Sequence, residues 1–301
     1  MALDWRPGVE PDVLRTRAEL LAQIRDYFAR TGALEVSTPS LLRFPSLEPA
    51  IRNLPVGERF LRTSPESAMK RLLAAGSGDI YELARVYRDD EAGTHHAVEF
   101  TLLEWYRVGF DHHQLMDDVQ ALLATVMPAL SLSRRTFGDA CLSVLGFNPL
   151  DCATQTLCEA ALKHGFQTPT QDRAMLLEYL FAVPVAAALK GKGVFISDFP
   201  PELRAYARLS TDGMPVAERF ELIIDGVEIA NGYHELTSAT EQQALFEHEQ
   251  RQGDAARRID ERWLGALQAG MPGAAGVALG VDRLLMLVAG ASSLAEVAFL
   301  E

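Results

Sequence analysis

Residues 80–108 read IYELARVYRDDEAGTHHAVEFTLLEWYRV, two apolar runs around a polar loop that holds Gly93 and two histidines. The pattern predicts a strand, a loop slightly long for a hairpin, and a return strand. Strand side chains alternate between faces, so Phe100, Leu102, Glu104 and Tyr106 share one face of the return strand. With Arg88 at the loop's edge turned the same way, one surface carries a cation, an aromatic ring, a carboxylate and a phenol. A solvated face rarely mixes these with Leu102, and a core face rarely keeps both Arg88 and Glu104. The plain alternative is a hairpin with a salt-bridged arginine; the mixture favours a binding surface.

Two further stretches carry chemistry. AERFELIIDGVEIANGYHELTSATEQ flanks Asp225-Gly226 with two β runs, a type I′ hairpin signal. Glu228 and Glu235 are candidates to meet phosphate through a divalent ion, since Mg²⁺ takes a few carboxylate oxygens plus substrate phosphate. Asn231-Gly232 would let backbone approach a ligand; an exposed acidic strand edge is the alternative. MPGAAGVALGVDRLLMLVAG runs a Gly-rich strand into a helix starting near Asp282, with Arg283 at its start, where it could be no more than a salt-bridge partner.

Taken together these residues resemble class II aminoacyl-tRNA synthetases. Arg88-x-Asp90, a loop, then His96-x-x-Glu99-Phe100-x-x-x-Glu104-x-Tyr106 is similar to motif 2, and Gly280-x-Asp282-Arg283 to motif 3. The match is nearest to the lysyl branch, and within it to the short paralogues that lysylate elongation factor P. The resemblance implies that Arg88 stabilises charge on the α-phosphate of ATP and that Phe100 stacks on adenine. His96 would contact the outer phosphates, Asp89 and Asp90 would lie near the nucleotide, Gly280 would admit ATP against the strand, and Arg283 would pair with the γ-phosphate. The family pattern E-[LI]-x-N-G-[FY]-x-E, which serves ATP, magnesium and the substrate amine, is met by Glu228, Ile229, Asn231, Gly232, Tyr233 and Glu235. Ser64, Pro65 and Glu66 match the Ser-Pro-Glu that borders the amino-acid pocket, where Glu66, Glu104 and Tyr106 would neutralise ammonium groups. The implied reaction is activation of (R)-β-lysine by ATP and Mg²⁺, followed by transfer to a lysine ε-amine of elongation factor P.

The elements that must position these residues are legible in outline. Residues 11–30 have a helical apolar period, with Asp12 as a plausible N-cap and Gly32 as the stop. GALEVSTPSLL then reads as a short strand ending in Pro39. Helix and strand together resemble motif 1, about 12–42, and imply a symmetric homodimer. Thr63 or Ser64 can cap a helix whose first turn holds Pro65 and Glu66. Further helices are expected over 112–130, 154–164 and 173–189. Motif 2 spans about 80–108, motif 3 about 271–290, and an insertion without evident chemistry about 131–211. The expected fold is α+β, a single 1–301 catalytic domain with an antiparallel sheet flanked by helices. No room is expected ahead of motif 1 for an anticodon-binding barrel, so tRNA is not an expected partner. Ala278, where lysyl-tRNA synthetases usually have glycine, points the same way.

A length of 301 residues with 48% hydrophobic and 23% charged residues suits a soluble globular chain. No apolar run reaches membrane-spanning length, the start lacks a signal-peptide core, and three cysteines without zinc spacing fit reduced thiols in the cytoplasm. The net charge of −13 disfavours non-specific nucleic-acid binding. Arg251, Arg257, Arg258 and Arg262 could form a local basic patch or a solvated helix face. His112, His113 and His164 read as surface or cap residues, and His234 stays open because of its acidic neighbourhood.

The chain also departs from the family pattern. Asp89-Asp90 stands where Asn-Glu is usual, Thr94 where the loop arginine is, and Ala97 where an asparagine contacts ATP. These changes keep three alternatives open: a regulatory paralogue without catalysis, a lysyl-type ligase using α-lysine, and an adenylate-forming ligase for aspartate and ammonia. Ser64, Glu66 and Tyr106 argue against the last.

Overall fold

The computed structural model describes residues 8–89, 93–253 and 257–298. The strands are β1 (Leu34–Glu35), β2 (Leu41–Leu42), β3 (Pro55–Val56), β4 (Arg59–Leu61), β5 (Ile80–Tyr87) and β6 (Glu99–Val108), followed by β7 (Leu132–Thr136), β8 (Gly193–Phe199), β9 (Ala217–Ile224), β10 (Val227–His234) and β11 (Ala274–Gly280). Eight form one sheet in the order β1-β5-β6-β11-β10-β9-β8-β7, antiparallel except for the outer pairs β1–β5 and β7–β8. A small sheet, β2-β4-β3, lies apart from it. With its helices this is an α+β fold.

The helices are α1 (Pro11–Thr31), α2 (Glu66–Ala74), α3 (His112–Val126), α4 (Phe137–Leu145), α5 (Thr154–Lys163), α6 (Arg173–Leu180), α7 (Ala186–Ala188), α8 (Ala239–Gln252), α9 (Glu261–Gly270) and α10 (Val281–Ala289). Pro11 suits the first turn of α1, and Gly32, at φ 79°, ends it by donating its N–H to the Phe28 carbonyl. The N-cap residue is Glu10; Asp12, expected in that role, sits one residue inside the helix, where its charge still faces the positive end. The strand expected after Gly32 is short because only Leu34 and Glu35 pair with β5. A single π turn, Phe181–Val185, joins α6 to α7 and contains Pro184, which has no N–H to give. Among the described residues no helix is long and apolar enough to cross a membrane.

The alternation of β6 decides which sheet face is core. Leu103 and Trp105 are fully buried against α1, α3 and α10, through Phe28, Leu115, Val119 and Leu285. Leu102, Glu104 and Tyr106 point the other way, into a cavity. Residues 131–211 extend the sheet by β7 and β8 and carry a second core around Phe137, Phe181 and Phe199. Buried ion pairs tie the layers together. Asp282, at the start of α10, accepts from Arg17 of α1 (2.5 Å) and from the Thr101 N–H of β6 (2.6 Å). Glu82 of β5 accepts from Arg62 (2.7 Å) and from the Thr38 hydroxyl (2.7 Å). Such pairs hold register more than they add stability, because desolvation offsets most of the attraction.

Candidate active site

The cavity, of about 250 Å³, opens on the front face of β6, β11 and β10. Its floor is β11, where Gly276, Ala278 and Gly280 alternate inward. A Cβ on Gly276 would collide with the Tyr106 ring and with Glu235 Oε1, so glycine is what lets phenol and carboxylate lie over the strand. Gly232 has a different reason from the one its sequence suggested. A Cβ there would strike Phe220 and Val277, so it serves the core, while Asn231 faces the cavity.

One end is cationic. The Arg88 guanidinium lies 5.3 Å from the Phe100 ring centre, and its Nε donates to the Thr63 carbonyl at 3.3 Å. Arg283, in the first turn of α10, donates from Nη1 to the Glu228 carbonyl (2.9 Å) and from Nε to the His95 carbonyl (3.1 Å). His96, Ile229 and Gly280 complete this end. The motif 2 loop is docked by the C-terminal segment, since the Leu294 N–H reaches the Thr94 carbonyl at 2.9 Å. Asp89 does not belong to the cavity wall; its backbone N–H pairs with the Arg52 carbonyl (3.1 Å). Asp90 lies outside the described residues.

The other end is acidic. Ser64 Oγ accepts from the Glu66 N–H (3.0 Å) and donates to Glu104 (2.8 Å), so one hydroxyl both starts α2 and places a carboxylate. Pro65 stands at the N-cap position and only shapes that turn, outside the cavity wall. Tyr106 Oη donates to the other oxygen of Glu104 at 2.7 Å. Lys70, one turn on from Glu66 and with no exposed side-chain surface, bridges Glu66 (2.6 Å) and Glu235 (2.7 Å). Its ammonium also lies 4.9 Å from the Trp263 ring centre. Burial, reinforced by the Glu66 charge, pushes the Glu104 carboxyl up to about 8. Burial raises Glu235 to about 7 against the opposing pull of Lys70. Glu48 adds a fourth carboxylate, raised by burial and by Glu66. Its loop is held from outside by Arg257, which donates to the Ser46 and Glu48 carbonyls (3.2 and 3.3 Å).

Glu228 lines the cavity, and Glu221 of the neighbouring strand lies on the same sheet face outside the cavity wall. Burial lifts the Glu221 carboxyl to about 7; Arg219, 2.5 Å away, opposes this and the Glu228 charge adds to it. Arg219 Nε also donates to Asn231 Oδ1 at 3.2 Å. Glu235, expected beside Glu228 on a metal, is instead committed to Lys70. Sequence reading thus missed Lys70, Glu221 and Glu48. Lys70 had a signal, its i,i+4 spacing from Glu66; Glu221 shares the strand period of Arg219; Glu48, in an irregular loop, had none.

Known proteins resemble this chain over its length. The family model described as tRNA synthetases class II (D, K and N) matches residues 1–300. A Vibrio vulnificus protein named elongation factor P–(R)-beta-lysine ligase is 42% identical over 316 residues, covering 99% of this chain and 98% of that one. Proteins of the same name from Haemophilus influenzae (42% identical, covering 94% and 93%) and Pasteurella multocida (40%, covering 98% and 96%) match similarly.

Proposed function

The chain belongs to the class II tRNA synthetases of the D, K and N type, and on that premise we propose that it is an ATP-dependent ligase attaching (R)-β-lysine to elongation factor P. A carboxylate oxygen of the amino acid attacks the α-phosphorus of ATP and pyrophosphate leaves. The ε-amine of a lysine on the protein substrate then attacks the activated carbonyl, loses a proton and releases AMP. Arg88 meets the charge that grows on the α-phosphate, Phe100 carries the adenine, and Arg283 and His96 take the outer phosphates.

The observation that carries the reading is the charge of the acidic end. Glu48, Glu66, Glu104 and Glu235 share this end with one ammonium, Lys70, which pairs with Glu66 and Glu235. Such a pocket suits an amino acid with two ammonium groups and repels aspartate. Ala278, paired across the sheet with Glu104 and with Asn231, puts a methyl on the floor between the acidic end and the phosphates. For Mg²⁺ the fitting residue is Glu228, which lines the cavity and would supply carboxylate oxygens; bound there, the ion would neutralise phosphate charge. The exposed apolar side chains Leu14, Leu34 and Leu41 of α1, β1 and β2 support a homodimer formed through this region. Three free cysteines fit a cytoplasmic chain.

ATP–pyrophosphate exchange with (R)-β-lysine, α-lysine and aspartate tests the reading. Exchange greatest with (R)-β-lysine, followed by AMP-releasing transfer to elongation factor P, is the expected result. Dominant exchange with aspartate, or none from folded protein, overturns it, the second outcome favouring a paralogue without catalysis.

The same assay has an expected pH dependence. Glu104 is protonated below its raised pKa of about 8, and a substrate ammonium binds the ionised form. The KM for the amino acid should therefore fall about tenfold per pH unit from about pH 6 and level off near pH 8. Glu104→Gln should flatten this profile; a flat profile in the unaltered protein removes Glu104 from amine recognition.

A further inference from the structure

The back of the sheet carries a second group of ligating side chains. Tyr233 of β10 and Glu235 just beyond it face the cavity, so His234 between them faces the other way, as does Glu218 of β9 beside Arg219. α3 packs on that back face and its first residue, His112, reaches the same place. His112, Glu218 and His234 each offer a ligand atom, all within 4.8 Å of one another. His112, His113 and Asp198 form an overlapping trio under the same limit.

By its sequence position His112 is expected to be a surface or cap residue. Instead its side chain is only 7% exposed, and its Nδ1 is buried without a hydrogen-bond partner. A buried imidazole nitrogen left unpaired is costly unless something fills the position. The ring's other nitrogen, Nε2, lies 3.4 Å from Asp198 Oδ1. A carboxylate on one imidazole nitrogen fixes the tautomer and raises the basicity of the other, the usual setting of a metal-bound histidine. Asp198 reaches it from a bulge in β8 where its own backbone is left-handed, at φ 58°. His234 Nδ1 lies 2.6 Å from Glu218 Oε2, and Arg208 Nε, 3.1 Å from that oxygen, orients the carboxylate.

We propose that His112, Glu218 and His234 bind a divalent ion of the zinc class, with Asp198 orienting His112. Two imidazoles and a carboxylate suit zinc rather than the oxygen-seeking magnesium of the catalytic face. Tetrahedral zinc needs ligand atoms about 3.3 Å apart, a value between the 2.6 Å of the His234–Glu218 pair and the 4.8 Å that bounds the trio. The ion would clip the start of α3 to β9 and β10, and through Asp198 to β8, with water in its fourth position.

The test is zinc binding by the full-length, tag-free protein after chelator treatment, read by metal analysis and by competition with a chromogenic chelator. About one zinc per chain is expected, with a rise of several degrees in Tm. His112→Ala and His234→Gln should weaken binding more than tenfold and abolish the Tm shift, and Asp198→Asn should weaken it roughly 10–100-fold. His164→Ala, at the end of α5, is the control. ATP–pyrophosphate exchange with Mg²⁺ verifies folding of each variant; if His112→Ala does not fold, His234→Gln and Asp198→Asn decide. Substoichiometric zinc in the unaltered protein, or binding undiminished in these variants, overturns the proposal. The result is independent of which amino acid the catalytic face activates.

Discussion

Arg88→Ala is expected to lower the kcat of ATP–pyrophosphate exchange roughly 10²–10³-fold, the usual loss when one preorganised donor to a developing oxyanion is removed. Negative charge grows on the α-phosphate only as the carboxylate attacks, so the loss should fall on kcat more than on the KM for ATP. Arg88→Lys should recover little. An ammonium is a point charge without the planar fork, and it would lose the stacking of the guanidinium on the Phe100 ring. Steady-state exchange rates with Tm as the folding control make the measurement. A variant within tenfold of the unaltered protein in kcat would remove Arg88 from the phosphate chemistry.

How much of this site could be read from the sequence depends on how local its causes are. The face shared by Phe100, Glu104 and Tyr106 follows from strand period alone, and the structure keeps it. The Asp225-Gly226 turn is equally local: φ of 54° and 80° at its two residues are what a type I′ turn demands. Glu228 is instructive in the other direction. A strict two-residue period would put it on the face opposite Asn231, Tyr233 and Glu235. The bulge between Glu228 and Ala230 shifts the alternation by one and returns it to the cavity, beside Glu221. Nothing in the local sequence announces that bulge, so the return of Glu228 to the face of Glu221 could be found only in three dimensions. The strands of the insertion escaped notice for a similar reason. β7 pairs in parallel with β8 across about sixty residues, and its exposed Arg134 and Arg135 hide the strand period. His112 was misjudged because helix N-terminal histidines are commonly solvated, and only the packing of α3 on the sheet buries it.

Lys70 shows most clearly what tertiary structure adds, and its replacement carries the second large effect. In the sequence it is one of two adjacent basic residues in a helix; in the fold it is fully enclosed, the counter-ion of Glu66 and Glu235. Lys70→Met keeps length and apolar packing against Trp263 and removes the charge. The expected cost is about 3–5 kcal/mol of folding stability, because two enclosed carboxylates lose their partner. The sign of its pH dependence follows from Glu235, whose folded pKa, about 7, is already above its unfolded value. A carboxyl raised in this way favours the fold fully below its unfolded pKa and loses that contribution as pH rises through the folded one. Without Lys70 that pKa moves higher still, so the deficit of the variant should be small near pH 5 and grow through pH 8. Lys70 itself is raised by the same partners, and its own contribution fades only above its unfolded pKa, outside this window. Denaturant unfolding at the two pH values separates this from simple loss of packing, which would give a deficit independent of pH. Kinetics supply a second readout. Glu66 and Glu235 would no longer be bridged by one ammonium, so the KM for the amino acid should rise while the KM for ATP, on the proposed binding at the Arg88 end, stays near its original value. An equal rise in both would mean that Lys70 supports the whole cavity rather than positioning the carboxylates of its acidic end.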